Sequence, residues 1–347
     1  MPWAGIYGHD AQRDALLRAY QRDRLGHSYL FTGPEGIGKK RFALTLAQSL
    51  LCENLANRLR NPDDQNYATM EPCGECPACV QIKADTYPDL HVTGLPEDKQ
   101  EFPIAVMLEL IQSLSLKPTR EGSRRIAIID DADVFNEESA NSFLKTLEEP
   151  PPESLLILLG TAPERQLPTI LSRCQVISFQ PLSEADFQAA AQAAGIVEKP
   201  AEAQTLYRLS QGSLSKAQLL KDPEMQAITG EIAKAFQSPK FASVALGIML
   251  VKFAEGSKEG AIKRQRAHFA IEFIVQLLQA ALLQAETGQA QTGPHQAAVQ
   301  RLATLTNIEA VPQLIEACLE AEYHIDRRFQ LALLLEAFAD KLGRYMR

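Results

Sequence analysis

Gly33-Pro34-Glu35-Gly36-Ile37-Gly38-Lys39-Lys40 matches G-x-x-x-x-G-K and lies between an apolar run at 28–31 and a helical pattern at 39–52. Gly33, Gly36 and Gly38 let the backbone fold around a phosphate chain with its amides pointing inward. The following helix adds its positive end, and Lys39 can reach β- and γ-phosphates, which makes ATP or ADP the expected ligand. The competing reading is a glycine turn followed by a helix that begins in lysine. The residue after Lys39 is ordinarily Ser or Thr, whose hydroxyl ligates Mg²⁺, and here it is Lys40. An ammonium cannot ligate a metal, and at an effective dielectric of about 20 it opposes a cation about 4 Å away by several kcal/mol. Nucleotide binding survives that change more easily than hydrolysis does.

Downstream, the apolar run 125–129 ends in Asp130-Asp131-Ala132-Asp133. Strand-end carboxylates of this kind hold the nucleotide's metal and position the attacking water. Asp130 is the metal-side candidate. Asp131 stands where an active ATPase usually carries a longer Glu, and one methylene less misplaces a general base by about 1 Å. A strand running into an acidic capping turn is the alternative. Thr161 follows the apolar run 155–159, at the strand end where ligand-facing polar groups collect, although a lone loop threonine is usually a turn residue. Arg173, in Ser172-Arg173-Cys174, is either a surface charge or an arginine finger for a neighbour's γ-phosphate, and chemistry alone favours the surface charge. Glu148 and Glu149 close the helical pattern 137–147 at its negative end, so a nearby cation or a partner is expected there.

Four of the six cysteines, Cys52, Cys73, Cys76 and Cys79, form C-x₂₀-C-x₂-C-x₂-C. Four thiolates complete a tetrahedral shell for structural Zn²⁺, and Pro72, Gly74 and Pro77 suit a tight knuckle. The spacing C-x₂-C-x₂-C also opens a ferredoxin-type iron–sulfur run, but Cys-Pro does not follow Cys79 three residues later. Redox or incidental thiols are the remaining reading. A closed shell leaves no position for substrate, so the expected role is to stabilise an excursion from the sheet. Cys318 lies on an apolar helical stripe and reads as core.

These residues need a scaffold, and the pattern supplies one. Five strand-like runs, at 28–31, 90–93, 125–129, 155–159 and 175–179, are separated in places by helical segments, which predicts a parallel sheet flanked by helices. After Pro181 the chain reads as helix throughout, with breaks at Pro200, Gly212 and Pro239. Helices are expected near 242–253, 262–284, 297–305 and 308–342, with an exposed loop over 286–296. The 347 residues exceed what one core usually organises, and the divisions fall at 1–181, 182–237 and 238–347. Hydrophobic residues at 46% and charged residues at 22% argue against disorder, and six cysteines are too few for a disulfide scaffold. The net charge of −8 excludes a polybasic protein that grips DNA or membrane unaided, although Arg120, Arg124 and Arg125 could form a modest basic edge. No uncharged apolar run approaches the roughly 18 residues of a membrane span, and His9, Asp10 and Arg13 stand where a secretory signal needs apolar residues. A cytoplasmic setting without membrane contact is expected.

Taken in order, His27-Ser28-Tyr29-Leu30-Phe31 before the phosphate loop, the cysteine insertion near 52–79, Asp130-Asp131-Ala132-Asp133, Phe143-Leu144-Lys145-Thr146-Leu147-Glu148-Glu149-Pro150-Pro151 and Ser172-Arg173-Cys174 resemble the bacterial clamp-loader subunits of DNA polymerase III. The resemblance is strongest over 1–217, and Lys40 makes it closest to the delta-prime branch, whose phosphate loop is degenerate. It implies an α/β AAA+ module, with a parallel five-stranded sheet, flanking helices and a zinc-binding insertion. A three-helix lid and an α-helical C-terminal collar would follow. It further implies a pentameric ring with tau/gamma and delta subunits that loads a sliding clamp onto primer-template DNA. In that setting Arg173 would act in trans on a neighbour's ATP, and Thr161 would match sensor 1. Ser215 stands where an active sensor 2 would carry Arg. A self-sufficient ATPase of the tau/gamma type, favoured by Lys39, Asp130 and Thr161, and a zinc-dependent nucleic-acid module remain as alternatives.

Overall fold

The computed structural model describes residues 3–58, 70–96, 99, 101–238, 240–257, 260–288, 295–305, 310–327 and 329–346. Pro239, Ile308 and most of the expected loop at 286–296, including Gly293 and Pro294, lie outside them. The chain divides into two compact units, Met1–Leu219 and Leu220–Arg347.

In the first unit the elements run α1 (Asp10–Gln21), β1 (Ser28–Thr32), α2 (Lys39–Leu51), α3 (Glu53–Arg58), α4 (Pro77–Lys83), β2 (Leu90–Thr93), α5 (Ile104–Leu114), β3 (Arg125–Ile129), α6 (Glu137–Glu148), β4 (Ser154–Leu159), α7 (Pro168–Leu171) and β5 (Gln175–Ser178). The strands form one parallel sheet in the order β2-β3-β4-β1-β5. Every residue of β1, β3 and β4 is buried, as expected of central strands covered on both faces. Alternation sorts them. Tyr29, Phe31, Ile126, Ile128, Leu155 and Ile157 pack with α2 and the cysteine insertion. Leu30, Ala127, Ile129, Leu156 and Leu158 pack on the opposite face with α5 and α6. In α6, Ala140, Phe143 and Leu147 form the buried stripe, and the Asn136 side chain caps the start by accepting from the Ser139 N–H at 2.8 Å.

Register places the chemistry. Ser28 lies opposite Leu156, and Leu156 opposite Ala127, so the carboxyl ends of β1, β3 and β4 align. The phosphate loop, Asp130 and Thr161 therefore leave one edge of the sheet together, where a parallel α/β sheet binds ligands. Arg125 corrects one expectation. It is buried rather than part of a basic edge, its guanidinium 3.3 Å from Asp89 and donating to the Ser113 carbonyl at 2.9 Å.

Three further helices, α8 (Glu184–Ala193), α9 (Pro200–Ser210) and α10 (Leu214–Leu220), complete this unit, with α8 and α9 packed through Phe187 and Tyr207. The second unit contains α11 (Pro223–Gln237), α12 (Ser243–Ala254), α13 (Gly260–Thr287), α14 (Gln296–Leu305), α15 (Ala310–Asp326) and α16 (Leu331–Tyr345). The lid expectation extended to 237, whereas Ile228, Ile232 and Phe236 of α11 share one core with α12–α16. The single helix expected over 308–342 is two. Because α15 ends at Asp326 and α16 begins at Leu331, both halves turn their apolar faces inward, Leu314 and Cys318 from one and Leu335 and Phe338 from the other. Residues 262–287 of α13, with mean hydropathy 1.3 in their most apolar stretch, are long and apolar enough to cross a membrane. Ile271, Ile274 and Leu278 instead make this helix the spine of the core, packed on α11, α12, α14 and α15.

Candidate functional site

The phosphate loop joins β1 to α2 with Gly33, Gly36 and Gly38 all at positive φ. At Gly33 a Cβ would overlap the Phe179 carbonyl oxygen, and at Gly36 it would overlap the Ser213 and Ser215 hydroxyls, so glycine is required at both. Among the described residues no side chain caps α2, which leaves the amides of its first turn available to an anion. Lys39 is 8% exposed and donates to the Gly33 carbonyl at 2.6 Å and the Pro34 carbonyl at 2.8 Å. Burial pulls its pKa below the ordinary lysine value against the attraction of Glu35, Asp130 and Asp133. The buried His9 ring bonds the Ile37 carbonyl at 2.8 Å, which pins the loop from the amino-terminal side.

The three carboxylates after β3 divide their roles in a way their spacing does not reveal. Asp130 pairs with Lys40 at 3.1 Å, so the exposed Lys40 reaches back to the carboxylate that the sequence marks as the metal-side candidate. Asp131 takes the left-handed conformation, φ 56°, and accepts from the Leu95 N–H at 3.3 Å, facing the segment after β2. Loss of solvation and the neighbouring Asp130 charge raise its pKa. Asp133 accepts from the Thr161 N–H and hydroxyl, both at 2.7 Å, and from the Gln166 amide. The Thr161 carbonyl accepts from the Gly33 N–H at 3.0 Å, tying the end of β4 to the start of the loop. Sequence reasoning quoted Asp133 without a role and passed over Gln166. Neither has a motif signal, because their partners come from a different connection.

The α10 turn closes on the loop. Ser213 donates to the Glu35 carbonyl at 2.9 Å, and the Leu214 N–H donates to the Gly36 carbonyl at 3.0 Å. Beside it lies a cavity of about 100 Å³, walled by Ile6, Tyr7, Ile37, Leu182 and Ala190.

Arg173 is not brought to this site. It precedes β5 at the amino edge of the sheet, while the phosphate loop leaves the carboxyl edge. Its Nε donates to Glu148 at 2.7 Å, a second N–H reaches the same oxygen, and Nη1 donates to the Thr169 carbonyl at 2.9 Å. This is the cation that the acidic end of α6 called for.

Cys52 ends α2, Cys73 and Cys76 flank the knuckle, and Cys79 lies on α4. Their sulfurs all fall within 4.8 Å of one another, with Cys73 and Cys79 4.0 Å apart. A tetrahedral ion about 2.3 Å from each thiolate needs sulfurs about 3.8 Å apart, so the cluster fits a metal. Amides of Leu55, Cys73, Cys76 and Cys79 point at the sulfurs, as thiolates require. The bond from Cys79 and the amides of Cys73 and Leu55 hold the Cys52 thiol well below its usual range.

A family model described as DNA polymerase III, delta subunit, matches residues 8–183, just over half of the chain. The chain belongs to this clamp-loader family. DNA polymerase III subunit delta′ of Bacillus subtilis is 36% identical over 170 residues, 48% of this chain and 46% of that protein. Subunit delta′ of Pseudomonas aeruginosa is 36% identical over 201 residues, 57% of each. Subunit tau of Escherichia coli is 29% identical over 236 residues, 67% of this chain and 34% of that protein. The matches thus span about half the length of the delta′ relatives and a third of the tau relative. The matched family region contains the phosphate loop, the cysteine cluster, Asp130–Asp133, Thr161 and Arg173 together.

Proposed function

We propose that this chain is a delta-prime-type structural subunit of the DNA polymerase III clamp loader and does not turn over ATP itself. It would assemble with tau/gamma and delta subunits in the bacterial cytoplasm, help place the sliding clamp on primed DNA, and lend Arg173 to a neighbour's ATP. The observation carrying this reading is the Lys40–Asp130 pair: the residue that should ligate Mg²⁺ is a cation, and it engages the carboxylate that should face the metal. Asp131 turned toward Leu95 and Ser215 against Gly36 support it, since neither general base nor sensor arginine stands over the loop. In the cysteine cluster the ion would be Zn²⁺, closing the insertion without a position for substrate. In reconstituted loader, Arg173→Ala should lower clamp- and DNA-stimulated ATP hydrolysis, by about 10³–10⁵ at the one site it serves, while the chain stays folded; normal hydrolysis removes the finger assignment.

An active ATPase of the tau/gamma type is favoured by two observations, the intact Lys39 and the uncapped start of α2. Phosphate release by the purified chain at saturating Mg-ATP separates the readings, and turnover on the order of 1 s⁻¹ would replace the first with the second.

A further inference from the structure

The groups around the phosphate loop that would meet a nucleotide already have partners in the chain, and one of those pairings is unusual. Lys39 resting on loop carbonyls and Thr161 resting on Asp133 are arrangements that any phosphate loop could adopt between ligands. Lys40 is different, because its type and its position conflict. A Mg²⁺ ion held beside residue 40 would sit about 2.0–2.1 Å from its inner oxygens. The Lys40 Nζ, 3.1 Å from Asp130 Oδ2, claims the same side of that carboxylate. Ammonium and metal exclude one another there by volume and by charge.

The pair is also loosely held. The Lys40 and Asp130 side chains are 54% and 30% exposed, and ion pairs in such surroundings give way readily to a stronger anion. Lys40 lies in the first turn of α2, next to the amides that would receive a phosphate. Glu35, Asp131 and Asp133 crowd the same space, as the electrostatic environments of Lys39 and Asp131 record. A polyphosphate without metal carries the full charge that Mg²⁺ would otherwise cancel, and Lys39 and Lys40 together supply two fixed cations to meet it.

We infer that Lys40 is a covalently tethered replacement for the metal, so that this site takes the metal-free form of a nucleoside di- or triphosphate and rejects its Mg²⁺ complex. This rests on the proposed function only in taking the loop to be a phosphate site, and it adds the chemical form of the ligand. A bound nucleotide of this kind lacks the metal on which transfer of its γ-phosphoryl depends, so it serves as a fixed part of the subunit.

Titration calorimetry on the full chain with ADP tests it, in excess Mg²⁺ and in EDTA, with wild type, Lys40→Thr and Asp130→Asn. Wild type is expected to bind ADP in EDTA and to lose about tenfold or more in affinity when Mg²⁺ converts the ligand to its complex. Lys40→Thr should reverse the sign, binding more tightly with Mg²⁺ than without. Asp130→Asn, which frees the ammonium, should tighten metal-free binding. Circular dichroism of each variant verifies the fold. The inference is overturned if Mg²⁺ strengthens wild-type binding, if Lys40→Thr leaves the metal dependence unchanged, or if wild type binds no ADP. Binding only by Lys40→Thr would make Lys40 a plug and overturn it too. The assembly reading is tested by loader ATPase with Arg173→Ala, which these titrations do not measure, so the two can fail separately.

Discussion

If Arg173 serves a neighbour, it must first leave Glu148, and the strength of that tether can be worked out. The guanidinium gives two N–H groups to one Glu148 oxygen, with side-chain exposures of 29% and 50%. A pair this open to solvent is worth about 0–1 kcal/mol. The shared oxygen and the negative end of α6 place it near the upper limit. About 1 kcal/mol corresponds to roughly a fivefold change in the released population. Glu148→Gln keeps an acceptor in the same shape and removes the charge. In the reconstituted loader it should therefore leave stimulated ATP hydrolysis unchanged or raise it by up to about fivefold, with about 1 kcal/mol or less lost in chemical denaturation of the isolated chain. A loss of hydrolysis comparable to that of Arg173→Ala would refute the reasoning, because Glu148 would then be orienting the arginine rather than detaining it.

Other expectations concern the first unit. Trp3 is 4% exposed, stacks edge-on against Phe42 and donates to Ser49 and the Met70 carbonyl, so Trp3→Ala should cost about 3–5 kcal/mol by urea denaturation; a loss under about 1 kcal/mol rejects this packing. Trp3 is also the only tryptophan in the sequence, and Met70 and Glu71 hold it just before Cys73. Stripping metal with a chelator should shift its fluorescence toward the solvent-exposed emission, and an unchanged spectrum would separate the cysteine cluster from the amino-terminal segment. Burial lowers the His9 pKa below the ordinary 6.5, against the pull of Asp186 and Asp10. The unfolded chain therefore takes up the proton first: the contribution of neutral His9 is complete above about pH 6.5 and declines as pH falls below it. His9→Gln should flatten that part of the stability profile, although the half-buried His91 adds a slope of the same sign, and an unaltered profile rejects the assignment. Gly36→Ala, at φ +72° and against Ser213 and Ser215, should speed hydrogen exchange in α10; unchanged protection would mean that the turn is not seated on the loop.

The five strands were legible almost to the residue because parallel central strands are continuous apolar runs, and the only differences are single residues at strand ends, such as Thr32 and Ser154. The phosphate loop and the cysteine cluster were legible because their chemistry is written in short spacings. Pairings across long separations were not. Nothing local links Lys40 with Asp130, or Asp133 with Thr161 and Gln166, until the register aligns the ends of β1, β3 and β4. Glu148 and Glu149 did announce a missing cation through helix electrostatics, and Arg173 supplies it. The end of α15 at Asp326 and the start of α16 at Leu331 escaped because neither Gly nor Pro stands in the sequence between them to mark a boundary.

The placement of Arg173 before β5, with the phosphate loop beyond its far end, gives the first unit a head and a tail separated by about 13 Å of strand. A twofold pair would have to be reciprocal, each copy giving its arginine to the other's loop, whereas head-to-tail stacking lets one chain give without receiving. Such stacking continues until a ring closes or a member lacks one of the two ends. In the proposed reading this chain is that member: it can donate, but its own loop has no use for a donor. It would therefore belong at one terminus of an ordered row, and the order of subunits would follow from which loops still want an arginine.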